Sequence, residues 1–228
     1  MCAIGCDMKR AFCCYFICFA LIVLNLFTAY LGSPVSDITW FLAVFGLIAV
    51  PLAEVRYIHP RDEAEAGVVV TWSWKDFLLG VAAVVILLIP VALGNHFVRT
   101  ELQNMAFQFS WANYAHLETP LYWEVPLQIL CVALPEEFFY RGYLQTAFLK
   151  HFKERSVRFA PALAIVLASV CFALVHLPSG GWARLLTFFP GLLFGFLRHK
   201  SGGLIGAILC HASCNLMMTL LNVHYFPA

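Results

Sequence analysis

Residues 127–149 read LQILCVALPEEFFYRGYLQTAFL. This run is apolar at both ends and carries three charged residues, Glu136, Glu137 and Arg141, in its middle. A charged side chain at the centre of a membrane span costs about 2.5–3.5 kcal/mol on insertion scales, so each one requires a partner or a water-filled cavity. The run therefore predicts a helix within a membrane protein, with a charged centre that has a structural or chemical role.

The composition of the whole chain supports a membrane location. Of the 228 residues, 62% are hydrophobic and 12% are charged, and the mean hydropathy is +0.82. Soluble domains are roughly half apolar and about a quarter charged. The formal net charge of +1 gives no electrostatic basis for binding nucleic acid. We therefore expect the lipid bilayer, and no nucleic acid, as a partner.

Seven apolar segments predict helices, because a membrane span requires about 20 helical residues. Four are uninterrupted, namely Ala11–Leu31, Ile38–Tyr57, Asp76–Phe97 and Phe159–Leu177. Three contain polar or small residues, namely Leu121–Leu149, Leu185–Leu197 and Gly203–Leu221. The predicted fold is an all-α, polytopic transmembrane helix bundle of about seven to eight helices in one membrane domain. Within it, we expect N-terminal helices and interfacial loops over residues 1–120 and a catalytic core over residues 121–224.

The distribution of basic residues predicts the orientation in the cell membrane. If successive spans cross the membrane in alternating directions, eleven of the fourteen Lys and Arg residues fall in loops or helix ends on one side of it. The positive-inside rule assigns that side, together with the N-terminus, to the cytoplasm. Lys9 and Arg10 before an apolar run resemble a signal peptide, but 29–32 has no small-x-small cleavage site. We expect a retained first span, with a cleaved signal as the alternative.

The two adjacent glutamates of the charged centre are predicted to differ in role. At about 100° per helical residue, Glu137 and Arg141 lie one turn apart on one face and can form an ion pair. Glu136 then faces elsewhere, without a local cation, and can titrate in a polar cavity. Pro135 removes a backbone N–H and favours a kink. The structural alternative is a buried salt bridge that only fixes helix packing.

Two histidines and an asparagine in other apolar runs complete a possible catalytic set. His176 ends one run, and His211 and Asn215 lie one turn apart in the last one. Glu136 can act as a general base on water with His176, while His211 and Asn215 can donate hydrogen bonds to an oxyanion. Glu and two His could instead hold a zinc ion, although there is no His-Glu-x-x-His run and Asn is a poor zinc ligand. We expect no cofactor, with zinc as the alternative.

Two non-hydrolytic classes are also compatible with these residues. One is a membrane protein without enzymatic activity, such as an immunity factor or an assembly scaffold. The other is a proton-coupled transporter, since Glu and His within membranes also form proton relays. Many transporters contain inverted repeats, and the sequence shows none.

Three motifs in this part of the chain resemble those of one family. Glu-Glu-x-x-x-Arg spans 136–141, Phe-x-x-x-His joins Phe172 to His176, and His-x-x-x-Asn joins His211 to Asn215. Their order and spacing resemble the CAAX-protease and bacteriocin-processing family, which includes the type II CAAX prenyl endopeptidases. The resemblance implies an intramembrane glutamate peptidase acting on a membrane-associated peptide or protein. It implies catalytic roles for Glu136, His176, His211 and Asn215, with Glu137, Arg141 and Phe172 in support.

The charge distribution also predicts the face to which such a site opens. The basic loops 150–158 and 198–200 lie at the opposite ends of their helices from His176, which stands beside the turn 177–181. If those loops are cytoplasmic, the site opens towards the outer face. Members that trim prenylated CaaX tails open towards the cytoplasm. The predicted orientation therefore favours a translocated peptide or a C-terminal sorting tail as substrate.

Overall fold

The computed structural model describes residues 6–32, 34–117 and 119–227, which are mostly helical. The α-helices are α1 (Cys6–Thr28), α2 (Val35–Ala53), α3 (Trp74–Phe97), α4 (Leu121–Leu127), α5 (Leu134–Glu137), α6 (Gln145–Glu154), α7 (Ala160–Gly180), α8 (Phe188–Ser201) and α9 (Ile205–Asn222). Short 3₁₀ turns cover Ala29–Leu31, Trp111–His116 and Trp182–Thr187, and π-helical stretches cover Glu54–Ile58, Val98–Leu102, Gln128–Ala133 and Phe138–Leu144. Two strands, β1 (Met105–Phe107) and β2 (Tyr225–Pro227), complete the elements.

Helices α4, α5 and α6 and the π-helical stretches between them form one continuous helix over residues 121–154, here named the central helix. It contains Pro135, and one π-helical stretch ends just before the α5 turn that holds this proline. A proline cannot donate the regular helical hydrogen bond, so irregular backbone is expected nearby. The backbone is irregular here, with wide π-helical turns on either side of the two glutamates. Such turns are frequent at functional sites.

The prediction of a polytopic helix bundle is confirmed. Within the described ranges, five helices are long and apolar enough to cross a membrane, namely Asp7–Leu31, Val35–Ile58, Trp74–Leu102, Ala160–Ser179 and Ile205–Asn222. The first four correspond to the four uninterrupted runs in the sequence, and the last includes His211 and Asn215. The central helix and the shorter α8 pack among them.

Helix α9 is fixed against α3 by a buried carboxylate and by close backbone contact. Asp76 is fully buried and accepts hydrogen bonds from the backbone N–H groups of Ile205 at 2.7 Å and Gly206 at 3.0 Å. It therefore satisfies donors that the first turn of α9 leaves free. A Cβ at Gly80 would lie 2.5 Å from the Cα of Gly206, so the two backbones approach as closely as glycines allow. These contacts set the position of α9 and of the residues one to three turns along it.

The loop after α2 packs on the central helix beside its charged centre. Glu54, at the end of α2, accepts hydrogen bonds from Arg61 Nη1 at 2.8 Å and from the Tyr143 hydroxyl at 3.0 Å. Gly67 has φ +79°, and a Cβ there would lie 2.1 Å from the carbonyl oxygen of Gly142. Glycine is therefore required at this turn both for its backbone angle and for the close approach.

Two features beyond the α-helices lie at the end where α3 and α9 terminate. Strand β1 pairs antiparallel with β2, with Phe107 opposite Tyr225, a small sheet that the sequence analysis does not predict. Trp111 and Trp182 on nearby connections and Tyr122 in the first turn of α4 are more than two-thirds exposed. Exposed aromatic residues at helix ends are typical of the membrane–water interface.

Candidate active site

Three ionisable side chains from three helices meet inside the bundle. Glu136 of α5 places Oε2 4.0 Å from His176 Nε2 of α7 and 3.7 Å from His211 Nε2 of α9. Glu136 and His176 keep side-chain exposures of 20% and 22%, whereas His211 has 5%. Glu136 Oε2 is itself buried and makes no direct hydrogen bond among the described residues. The structure thus brings together three of the four predicted catalytic residues around one carboxylate oxygen.

The ring of His176 is held by its own helix. Nδ1 lies 2.7 Å from the carbonyl oxygen of Phe172. A carbonyl only accepts, so this contact assigns the proton to Nδ1 and leaves Nε2, which faces Glu136, as an acceptor in the neutral ring. The Phe172 ring packs edge-on against the imidazole with centroids 4.6 Å apart. The spacing of the Phe-x-x-x-His motif therefore orients the histidine.

The ring of His211 is held by Glu137 and by an aromatic ring. Its Nδ1 lies 2.8 Å from Glu137 Oε1, and the carboxylate fixes a proton at Nδ1. Phe194 of α8 stacks on the imidazole with centroids 5.0 Å apart and an interplanar angle of 13°. Glu137 therefore has a second partner besides the predicted one, because it binds the candidate oxyanion donor directly.

The predicted ion pair between Glu137 and Arg141 is present. Arg141 Nε lies 3.2 Å from Glu137 Oε2, and both side chains are fully buried. The guanidinium carbon lies 4.3 Å from the centre of the Phe172 ring, a cation–π geometry. Nη2 donates to the carbonyl oxygen of Gly191 at 3.3 Å. Arg141 thus connects the central helix to α7 and α8 while it balances the charge of Glu137.

Asn215, the fourth predicted residue, lies one turn beyond His211 and contacts a residue that the sequence analysis does not single out. Its Nδ2 donates to Gln128 Oε1 at 3.0 Å, and Gln128 Nε2 donates to Glu124 Oε1 at 2.9 Å. The available signal for Gln128 is its position as a polar residue in an apolar run, about two turns before Glu136. An uncharged amide in an apolar run is a weaker signal of a functional site than a carboxylate, because its burial costs less free energy.

The donors that a metal could use at this site are those of Glu136, His176 and His211. Across residues 6–32, 34–117 and 119–227, no three His, Cys, Asp or Glu side chains are grouped closely enough to form a metal site.

Comparison with known proteins matches the part of the chain that contains this site. A search of the curated proteins found no match. Residues 118–217 match the family model described as type II CAAX prenyl endopeptidase, Rce1-like, and this range includes all three motifs. Membership of this family implies an intramembrane protease. Residues 118–217 are therefore a domain of the Rce1-like type II CAAX prenyl endopeptidase family.

Proposed function

We propose that this protein is an intramembrane endopeptidase that hydrolyses a peptide bond of a membrane-associated peptide or protein. Glu136 and His176 activate water, and His211 and Asn215 stabilise the oxyanion. The observation that carries the proposal is the meeting of Glu136 Oε2 with two imidazole nitrogens at 3.7 and 4.0 Å. A buried salt bridge that only fixes packing does not account for this carboxylate, because the bridging role belongs to Glu137.

The separations at Glu136 suit a water molecule. Distances of 3.7 and 4.0 Å are too long for direct hydrogen bonds, yet one bridging water can contact such groups together. Glu136 takes one proton from this water, while Nε2 of the neutral His176 accepts a hydrogen bond from the other. The water oxygen then bonds to the substrate carbonyl carbon. When the tetrahedral intermediate collapses, the C–N bond breaks and Glu136 returns its proton to the leaving amine.

The oxyanion is stabilised by donors from α9. In its imidazolium form, His211 donates Nδ1–H to Glu137 and presents a second N–H at Nε2. Asn215 supplies a further N–H from its amide. A single donor aimed at an oxyanion contributes about 2.7–4 kcal/mol to transition-state stabilisation. Both residues are on one face of α9, which the contacts with α3 and the central helix hold in place.

The membrane setting and the family both support a membrane-associated substrate. Peptides with a prenylated CaaX tail are the substrates that the family name indicates. The predicted outward orientation instead supports a translocated peptide or a C-terminal sorting tail. In either case the substrate reaches Glu136 from the bilayer or its interface, because the site is inside the bundle.

The proposal is tested by cleavage assays on purified protein in detergent or proteoliposomes. Glu136→Gln, His176→Ala and His211→Ala are each expected to lower the rate by about 10²–10⁴-fold, the usual contribution of acid–base groups. The control is Glu154→Gln, an exposed glutamate at the end of the central helix. Amounts of inserted, folded protein should be equal. Cleavage retained in all three variants would contradict the proposal and favour a scaffold role.

A further inference from the structure

A line of polar side chains continues from the candidate site between the central helix and α9. Asn215 Nδ2 donates to Gln128 Oε1 at 3.0 Å, and Gln128 Nε2 donates to Glu124 Oε1 at 2.9 Å. Thr219, one turn beyond Asn215, donates to the same Glu124 oxygen at 3.5 Å. All four side chains are partly buried. Polar groups between membrane helices are costly without partners, and here each is paired with the next.

The chemistry of Glu124 gives this line a direction. An ionised carboxylate only accepts hydrogen bonds, so Gln128 must turn its NH₂ group towards Glu124. The amide oxygen of Gln128 then faces Asn215. Asn215 must in turn present its NH₂ group, not its oxygen, to Gln128. The orientation of two amides, which could otherwise flip, is thereby fixed by one carboxylate.

The backbone of the central helix helps to bring Gln128 to the site face. In a regular α-helix, the eight residues from Gln128 to Glu136 would turn through about 800°, leaving Gln128 about 80° from the face of Glu136. The stretch Gln128–Ala133 is π-helical. A π-helix has more residues per turn and rotates less per residue, which reduces that offset.

We propose that Gln128 and Glu124 are positioning residues that aim the Asn215 amide at the oxyanion. The inference rests on the proposed function. One N–H of Asn215 is engaged by Gln128, and the other is thereby directed to the side of His211. Glu124 acts indirectly, because it sets the orientation of Gln128.

The expected kinetic effect is on kcat. If Asn215 contacts the oxyanion only in the transition state, a misdirected amide lowers kcat and leaves KM nearly unchanged. We expect Gln128→Leu and Glu124→Gln each to lower kcat by about 10–100-fold, up to the effect of losing one oxyanion donor. Glu124→Gln retains the size of the side chain but allows the amide at position 128 to flip.

Two comparisons separate positioning from a general structural effect. In an Asn215→Ala background, Gln128→Leu should cause no further loss of kcat, because residues that act through one group are not additive. The double variant Glu124→Gln and Gln128→Glu again fixes which groups donate and which accept along the hydrogen bonds that connect Asn215, position 128 and position 124. The new amide at position 124 donates to the new carboxylate, and that carboxylate still accepts from Asn215. We expect kcat of the exchanged pair to recover to within a few-fold of the original.

The assay uses two internally quenched probes, a peptide with a prenylated cysteine three residues from its C-terminus and the same peptide without the prenyl group. Melting temperatures in detergent report folding, and Glu124→Gln replaces Gln128→Leu as the test variant if Gln128→Leu does not fold.

The inference is overturned if kcat of the exchanged pair is no higher than that of Glu124→Gln alone. It is also overturned if Gln128→Leu lowers kcat further in the Asn215→Ala background. If Glu136→Gln is inactive but Gln128→Leu keeps the wild-type kcat, the positioning inference is overturned and the proposed function stands. Full activity in Glu136→Gln, or no cleavage of either probe by the wild type, overturns the proposed function as well.

Discussion

Glu136 and Glu137 are adjacent in the chain and chemically identical, yet they differ in burial and in the partners of their carboxylates. Glu137 is fully buried between Arg141 and His211, whereas Glu136 retains 20% exposure and has imidazole nitrogens 3.7 and 4.0 Å from Oε2. A carboxylate with its charge balanced on both oxygens is suited to hold a structure. One that faces two imidazoles without direct contact is suited to exchange protons with water.

This division predicts that substitutions at the ion pair and at Glu136 affect stability to very different extents. Arg141→Leu leaves Glu137 buried without its cation, and the loss of one partner from a buried ion pair costs about 3–5 kcal/mol. Glu136→Gln breaks no direct hydrogen bond at Oε2 and should leave the melting temperature within a few degrees of the wild type. Thermal unfolding of both variants in one detergent measures the difference. Equal melting temperatures would contradict the assignment of roles.

The sequence predicts the part of this site that a single helix determines. The spacing of Glu137 and Arg141 predicts their ion pair, and that of His211 and Asn215 predicts a shared face. The bond from His211 to Glu137 and that from Asn215 to Gln128 join separate helices. No helical period relates such residues, so only the packing of the helices reveals those contacts.

Among the helices, α3 influences the site through its close contact with α9. Gly206 begins the α9 segment that carries His211, and its backbone touches that of Gly80. The apolar runs predict both helices, but they do not predict which helices are neighbours. Similarly, three-residue strands such as β1 and β2 are too short to give an alternating pattern. The π-helical stretches leave no length or composition signal either.

A pair of alanine substitutions in α3 tests the influence of this contact. Gly80→Ala places a methyl 2.5 Å from the Gly206 Cα, whereas a methyl at Gly94 meets no atom within 4 Å in the described parts of other elements. Overpacking costs about 1–3 kcal/mol, so Gly80→Ala should lower both the melting temperature and the cleavage rate. Gly94→Ala should leave both unchanged or slightly raise stability. A Gly80→Ala protein with normal activity and stability would show that the close approach is not needed.

At the scale of the whole molecule, the predicted basic side of the bundle corresponds to one end of the structure. Lys150 Nζ, near the end of α6, lies 3.3 Å from Asp7 Oδ2 at the start of α1. Arg61 binds Glu54 at the same end, through a network that includes Tyr143 of the central helix. The start of α1, the loop after α2 and the end of α6 therefore lie together, as alternation of spans requires.

Labelling with a membrane-impermeant thiol reagent in intact cells tests the orientation. Ser179, exposed beside His176, should label without permeabilisation as Ser179→Cys. Lys153→Cys, at the exposed end of α6, should label only after permeabilisation. The unmodified chain reports the background from native cysteines. The reverse pattern would place the basic end outside and the site towards the cytoplasm, and would favour prenylated tails as substrates.

Peptide hydrolysis by water that Glu136 activates is tested most directly by the cleavage rate of purified protein on a membrane-anchored peptide. The rate is measured with excess chelator for the wild type and for Glu136→Gln. We predict that the wild type retains its rate in chelator, because Glu136 and His176 activate water without a metal. Glu136→Gln should lose about 10²-fold or more in rate while it remains folded. A wild-type rate abolished by chelator and restored by zinc, or a fully active Glu136→Gln protein, would contradict metal-independent catalysis by Glu136.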